Sequence, residues 1–290
     1  MEYPLYEISE KQFPGNLAEI PDKPKKLYAR GKLPPPDHKL LAVVGSRKYS
    51  TYGKQVVEHI IGGLRGYPIT IVSGLAIGID ALAHRAALDN GLNTIAVPGS
   101  GLDEDVLYPA QNRKLAHEIL AKGGGLISEF EPDFRATDWS FPQRNRIMAG
   151  VANAVLIIEA VLKSGTLITS RLATDYNRDV LAVPGSIFSK NSEGPHMLIK
   201  LGATPATSAE DVLDTLGLTV LQSPADIGEN LSEQEKTLLA LLASPRSHDE
   251  LLRALTLQSG LATESANALI MTLELQGYIS KSGGIFIRKR

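Results

Sequence analysis

The sequence predicts an α/β protein, in which a Rossmann-like, doubly wound and mostly parallel sheet is followed by a small winged-helix domain. Short apolar runs rich in Val and Ile recur along the chain, and segments of helical period separate them. Such alternation is typical of a parallel sheet covered by helices on both faces. The predicted strands are Leu40–Val44, Ile69–Val72, Thr94–Val97, Leu126–Ser128, Ala154–Ile158 and Val180–Val183.

A further observation predicts the second domain. Ser232 to Glu235 matches a capping box, and helical patterns that begin near Ser247 and Thr263 follow it. A Ser-Gly-Gly turn between two short apolar runs then predicts a hairpin, which completes a winged helix. We therefore divide the chain into a Pro-rich lead-in (1–38), a Rossmann-like domain (39–216), a linker (217–230) and a winged-helix domain (231–290).

Composition narrows the classes of function. The 290 residues carry a net charge of -2 and no cysteine, which excludes disulfides and thiolate sites and fits a reducing cytoplasm. No run approaches the length of a membrane span, so we expect no contact with a membrane. The six histidines lack metal-ligand spacing, and the chain lacks both the P-loop and the three spaced glycines of a dinucleotide fingerprint. We therefore expect neither a metal nor a cofactor.

Small residues follow the predicted strands. Open α/β sheets bind ligands at the carboxyl ends of their strands, where glycine lets a ligand approach the backbone and the next helix offers free N–H groups. One such loop could simply turn a strand into a helix, but recurrence in four loops favours a binding edge. The candidate residues are Gly45, Ser46, Ser73, Gly74, Gly99 and Ser100.

Basic residues occur in the same loops. Because the net charge is slightly negative, any site for a polyanion must be a local concentration of Lys and Arg. A single loop Arg is usually just solvated, whereas three clusters predict a track for a phosphate chain. The clusters are Arg47 with Lys48, Asn112 with Arg113 and Lys114, and Arg144 with Asn145 and Arg146; Tyr49, Tyr52, Tyr108 and Trp139 are candidate stacking surfaces.

Several motifs in order resemble the DprA (Smf) family over about residues 20–215. They are Gly45-Ser46-Arg47, the run from Ser73 to Asp80 with Ala83-His84, Gly101-Leu102-Asp103 with Tyr108-Pro109, Ser128-Glu129, Phe141 to Arg146, and Glu159-Ala160 with Ser164-Gly165-Thr166. The resemblance implies a non-catalytic protein that binds single-stranded DNA and loads the RecA recombinase onto it during natural transformation.

The resemblance also implies roles for individual residues. Arg47 would contact phosphate, Arg113 or Lys114 would supply a second basic contact, and Arg144 with Arg146 would line the groove. The family forms homodimers through a surface late in the Rossmann-like domain. That surface corresponds here to an apolar stretch made of Met197, Leu198, Ile199 and Leu201, for which an ordinary buried helix is an equal alternative.

Two other functions stay open at this point. Related folds include enzymes that cleave N-glycosidic bonds with an Arg and a Glu, and Glu159 and Arg171 are the candidates here, although the paired-glycine signature of those enzymes is missing. Alternatively, the winged helix could recognise duplex DNA while the large domain senses a ligand. Residues 263–276 contain no Lys or Arg, so we favour a protein-contact role for the winged helix.

Overall fold

The computed structural model describes residues 3–219, 232–242, 244–275, 278–282 and 284–288. The chain divides into two compact units, Met1–Thr219 and Val220–Arg290, and each is described here by itself. Most of the predicted linker, from residue 220 to residue 230, lies outside the described residues.

The first unit is built on one mixed sheet, in which nine strands are described. Their order is β1-β2-β6-β5-β4-β3-β7-β8-β9, and every pair from β6 to β9 is parallel. The predicted α/β class and mostly parallel sheet are thereby confirmed. The strands are β1 (Leu5–Ile8), β2 (Leu27–Gly31), β3 (Lys39–Val44), β4 (Ile69–Ser73), β5 (Asn93–Ala96), β6 (Gly125–Ser128), β7 (Ala154–Ile157), β8 (Asp179–Ala182) and β9 (Thr204–Pro205).

The amino-terminal 38 residues contribute two of these strands, which the sequence analysis did not predict. β2 pairs antiparallel with β6, and β1 pairs antiparallel with β2, so they extend one edge of the parallel sheet. Both strands are short and Pro-rich segments flank them, which hides the alternation that normally reveals a strand. Leu27, Tyr28 and Ala29 are nevertheless buried.

Helices cover both faces of the sheet. Ile95 and Val97 pack in one buried cluster with Ile147, whereas Ala96 packs on the opposite face with Ala116. This alternation is expected because successive strand residues point to opposite faces. The helices of the first unit are α1 (Thr51–Gly63), α2 (Ile79–Asp89), α3 (Arg113–Ala121), α4 (Ser140–Val151), α5 (Thr166–Asp175), α6 (Glu193–Lys200) and α7 (Ala209–Thr215).

The second unit contains three described helices and a small antiparallel sheet. The helices are α8 (Glu233–Leu241), α9 (His248–Ser259) and α10 (Thr263–Leu275); the strands, β10 (Arg246–Ser247), β11 (Ile279–Ser282) and β12 (Ile285–Arg288), have the order β10-β12-β11. Capping boxes start α8 at Ser232 and α9 at Ser247, the first as predicted. The element order agrees with a winged helix, which stays our interpretation of this unit. Across the described parts of both units, no helix has the length and apolarity needed to span a membrane.

Candidate nucleic-acid interface

The carboxyl edge of the parallel strands is where the sequence places its candidate residues. The chain winds from β3 outward through β4, β5 and β6, and then returns to place β7 on the other side of β3. The strand order therefore reverses between β3 and β7, which is the position where open α/β sheets bind ligands. The predicted DNA-binding residues lie at the end of β4, in the loops after β3, β4 and β5, and in the first turns of α3 and α4, which follow β5 and β6.

A carboxylate already fills the crevice between β3 and β7. Glu159 is buried and accepts hydrogen bonds from the Ser50 backbone N–H (2.9 Å), the Ser50 hydroxyl and the Asn191 side-chain amide (3.2 Å). The carboxylate thus holds the N-cap residue of α1 and disfavours a phosphate in this crevice, because the two groups carry like charge. Arg171, the other candidate of the N-glycosidase alternative, is exposed, and its Nε lies 3.9 Å from Asp175 Oδ2. Within the described residues, no cluster of His, Asp and Glu could hold a metal ion.

The loop after β3 is locked by the loop after β4. Ile79 N–H donates to the Ser46 carbonyl over 3.1 Å, and the Ile79 side chain packs where a side chain on Gly45 would lie. Gly78 has a φ of 92°, and a Cβ there would collide with the Ser46 carbonyl. The two glycines therefore permit close contact between the loops, which fixes the backbone beside Arg47.

Arg47 is exposed at this edge and points toward an aromatic ring. Its guanidinium carbon lies 5.2 Å from the centroid of the Phe141 ring, and the ring of Tyr108 lies 5.5 Å beyond Phe141. Tyr108 is also exposed, as is Lys48, the residue after Arg47. The structure thus brings the Arg47 guanidinium and two aromatic rings, from two loops and the first turn of α4, into one surface, which we call the Arg47 platform (Arg47, Lys48, Tyr108, Phe141).

Arg144 does not line this surface, which corrects the prediction made for it. It is only 5% exposed, and its Nη1 donates to the backbone carbonyls of Gly74 and Val97. Burial lowers the pKa of Arg144 to about 10, while the nearby Asp80 opposes that shift. Burial likewise raises the pKa of the Asp80 carboxyl, against the influence of Arg144 and of the backbone N–H groups of Gly74 and Ala76. Arg144 is a structural cation beneath the edge.

Gly74 is the residue that makes room for this buried pair. A Cβ on Gly74 would collide with the Arg144 guanidinium and lie 2.6 Å from Asp80 Oδ2. Gly74 is itself buried, so its predicted role in touching a ligand is replaced by one in admitting two charged side chains.

Arg146 is directed away from the Arg47 platform. Its Nη2 donates to Glu129, and its Nε lies 3.8 Å from Asp22 of the amino-terminal segment. Residues two apart on a helix point to different faces, so Arg144 and Arg146 of α4 cannot both line one groove. In this structure the charge of Arg146 ties α4 to Glu129, which follows β6, and to the lead-in, and its contact with DNA stays a prediction.

The members of the third cluster, Asn112, Arg113 and Lys114, have different contacts. Arg113 donates to the carbonyls of Leu107 (3.2 Å) and Asp105 (2.7 Å), so its guanidinium holds the loop before α3. Asn112 donates to the Leu75 carbonyl over 2.7 Å, which ties the start of α3 to the loop after β4. Lys114 is exposed in the first turn of α3 and adds a cation at this edge.

The remaining predicted contacts are buried and support the loops. The Ser73 hydroxyl donates to the Val43 carbonyl (2.6 Å), and the Ser100 hydroxyl donates to the Gly101 carbonyl (2.9 Å). Asn145 accepts from Arg144 Nε, and a Cβ on Gly99 would press into the Phe141 ring. Their predicted contact with a ligand is corrected to a role in shaping the edge.

Phe141 is the residue that the sequence analysis overlooked as a stacking surface. The signal in the sequence is an aromatic residue at the start of the motif from Phe141 to Arg146, where a helix begins at the candidate edge. Among the aromatic residues that were named, Tyr49, Tyr52, Tyr108 and Trp139 are all partly exposed. Trp139 packs on Phe130 and Phe134 and presents 56% of its surface to solvent.

The apolar stretch assigned to a dimer contact lies on α6 and just after it. Leu198 is buried in the core of the sheet domain, and Met197 and Ile199 pack partly against that core. Leu198 is therefore unavailable to a second chain, which corrects its assignment. Met197 and Ile199 are half-buried, and Leu201, at 76%, is the most exposed member of the set.

The chain resembles known proteins over most of its length. A model of the family described as DNA recombination-mediator protein A matches residues 5–217. The chain is 37% identical over 283 residues to Protein Smf of Escherichia coli, which covers 96% of this chain and 75% of the relative. It is 44% identical over 211 residues to DNA processing protein DprA of Streptococcus pneumoniae, which covers 73% of each protein.

Solved structures of two DNA processing A proteins also match this chain. The structure of DNA processing protein A from Streptococcus pneumoniae matches with a TM-score of 0.67 at 43% identity, over 73% of this chain and 74% of that one. A structure of DNA processing protein A from Helicobacter pylori, described as showing a unique single-stranded DNA binding mode, matches with a TM-score of 0.65 at 30% identity. It covers 74% of this chain and 96% of the other.

Proposed function

The chain belongs to the DNA recombination-mediator protein A family, and we propose that it binds single-stranded DNA without strong sequence preference through the Arg47 platform. The observation that carries the proposal is the Arg47 guanidinium, exposed and 5.2 Å from the Phe141 ring. The described binding mode of the Helicobacter pylori relative supports the same ligand.

The chemistry of the platform suits a flexible phosphate chain. Arg47 offers a planar fork of donors for phosphate oxygens, and Lys48 and Lys114 add point charges along the same edge. The exposed Tyr108 presents a ring on which any base can stack, because every base has a π-face, and the half-buried Phe141 positions the Arg47 guanidinium beside it. Contacts of these two kinds read no base edge, so they bind all sequences with similar strength.

The larger biological role is part of this proposal. We propose that the bound strand is protected and passed to RecA in the cytoplasm, and that the protein acts as a homodimer. The exposed Leu201 is the residue we assign to the contact between chains. The family's description as a recombination mediator supports the RecA role. We propose no catalytic step, and the contacts of Glu159 support that view.

Replacement of Arg47 tests the proposal. We expect Arg47→Ala to weaken oligo-dT and mixed-sequence oligonucleotides alike, and to reduce the slope of log affinity against log salt by about 0.7. Arg65→Ala is the matched control, because Arg65 is exposed after the end of α1 at the opposite edge of the sheet. Fluorescence anisotropy over a salt series measures both quantities. If Arg47→Ala behaved like Arg65→Ala, the platform would not be the DNA site.

A further inference from the structure

Two exposed apolar side chains project from the loop after β8. Ile187 is 79% exposed and Phe188 is 92% exposed, although large apolar residues normally bury most of their surface. The loop itself is anchored, because the Tyr52 hydroxyl donates to the Pro184 carbonyl over 2.6 Å and Gly185 N–H donates to His196 over 3.3 Å. An anchored loop that presents an unpacked phenyl ring indicates a contact surface.

The same loop is bonded to the loop that carries Arg47. The side-chain amide of Asn191 donates to the Lys48 carbonyl over 3.2 Å, and the Ala160 N–H donates to the Asn191 carbonyl over 2.8 Å. The loops after β3, β7 and β8 therefore form one continuous edge. The edge that carries Ile187 and Phe188 begins where the Arg47 platform ends.

Charge along this edge favours a polyanion. Lys48, Lys163 and Lys190 are exposed, and none of them forms an ion pair with a described carboxylate. The three loops of this edge, residues 45–50, 158–165 and 183–193, contain two acidic residues. Glu159 is buried, and Glu193 is exposed. Three free lysines interleaved with apolar surface match the pattern by which single-stranded nucleic acid is held, with charges on phosphates and rings on bases.

We infer that the DNA path continues from the Arg47 platform across β7 to β8, where Phe188 stacks on a base and Lys163 and Lys190 contact phosphates. This inference rests on the proposed function. The platform spans the loops from β5 to β3, and the path from β3 to β8 adds two strand spacings, about 10 Å. The second half of the path is therefore occupied only by longer strands.

The length of the oligonucleotide separates the two halves of the path. We expect Phe188→Ala to weaken oligo-dT of about 12 nucleotides by about 5- to 100-fold and to leave oligo-dT of about 4 nucleotides unchanged. The same variant should not weaken a long oligonucleotide made of abasic sites, since it has no bases to stack. Leu257→Ala, at an exposed position of the second unit, is the matched apolar control.

The salt dependence of binding tests the two lysines, Lys163 and Lys190. We expect Lys163→Ala and Lys190→Ala each to reduce the salt slope for the longer oligonucleotide by about 0.7, and Lys122→Ala, after the end of α3 at the opposite edge, to leave it unchanged. If Arg47→Ala lost binding while Phe188→Ala bound both lengths normally, the extension would be overturned and the platform kept. If neither variant lost binding, the proposed function itself would fail.

Sedimentation of the Phe188→Ala variant tests the alternative that this face contacts a second copy of the chain. An unchanged oligomeric state together with weaker binding of the longer strand supports the DNA path. Loss of a dimer with unchanged DNA affinity would instead assign this face to a second copy of the chain and overturn the inference.

Discussion

Replacement of Asp80 by asparagine should reveal how far the DNA-binding edge depends on a buried charge pair. Asp80 and Arg144 are both buried, and Gly74 makes room for them at one point. The amide keeps the shape of the carboxylate but leaves the guanidinium without its compensating charge. The two groups attract each other without a direct hydrogen bond, so we expect the low end of the cost of breaking a buried pair, about 3 kcal/mol, which lowers the midpoint of thermal unfolding by about 6–12 °C for a unit of this size.

The control is Asp103→Asn. Asp103 lies 3.0 Å from Arg30, but its side chain is 45% exposed, so loss of that pair should cost at most about 1 kcal/mol. Circular dichroism during heating, with urea titration at one temperature, measures both variants. If Asp80→Asn destabilised the protein no more than Asp103→Asn, the Arg144 guanidinium would not need Asp80, and our account of the buried pair would be wrong.

Two further predictions concern buried groups. Burial lowers the pKa of His84 from 6.5 to about 3, so the unfolded chain binds the proton first and stability falls by about 1.4 kcal/mol per unit as pH drops through that window. Urea titrations should show a shallower loss in His84→Gln than in the exposed control His59→Gln; equal slopes would contradict this. In Glu159→Gln, one acceptor for Ser50 or Asn191 is lost, and we expect destabilisation by about 1–3 kcal/mol in the same assay. A variant as stable as the parent would refute the capping role.

The fold was predictable where one face or both faces of an element carry a clear pattern. The six central strands were found because each is a short buried run between helices, with bounds within about two residues of those in the structure. β1 and β2 were missed because their partners are distant in sequence and prolines interrupt the surrounding pattern. The linker could not be compared, since residues 220–230 lie outside the described part of the chain.

The candidate site was predictable in position but not in orientation. The predicted strand ends indicate which loops meet at the carboxyl edge of the sheet, and Arg47 is exposed at that edge. Which arginines turn inward depends on contacts made across the fold, such as Arg144 with Gly74 and Arg146 with Glu129. Helix period alone would have separated Arg144 from Arg146, because a step of two residues changes the face.

The salt dependence of DNA binding should distinguish the exposed basic residues from those whose charges are bound within the protein. Each phosphate contact on a single strand contributes about 0.7 to the slope of log affinity against log salt, so the six cations of the three predicted clusters would together give about −4. The cations left free on and beside the Arg47 platform are Arg47, Lys48 and Lys114, which lowers the expected slope to about −2. An oligo-dT of about 4 nucleotides is the right probe, since it is confined to the platform.

Variants of Arg146 and Lys114 should separate effects on stability from effects on DNA binding. Arg146→Gln should destabilise the protein, because it leaves the half-buried Glu129 without its compensating charge, yet it should not change the slope. Lys114→Gln should do the reverse, since that lysine is exposed and free of ion pairs with described residues. A slope clearly steeper than about −2 for the short probe, which becomes shallower in Arg146→Gln, would mean that DNA draws the arginine away from Glu129, and the edge would then be a rearranging site rather than a preformed one.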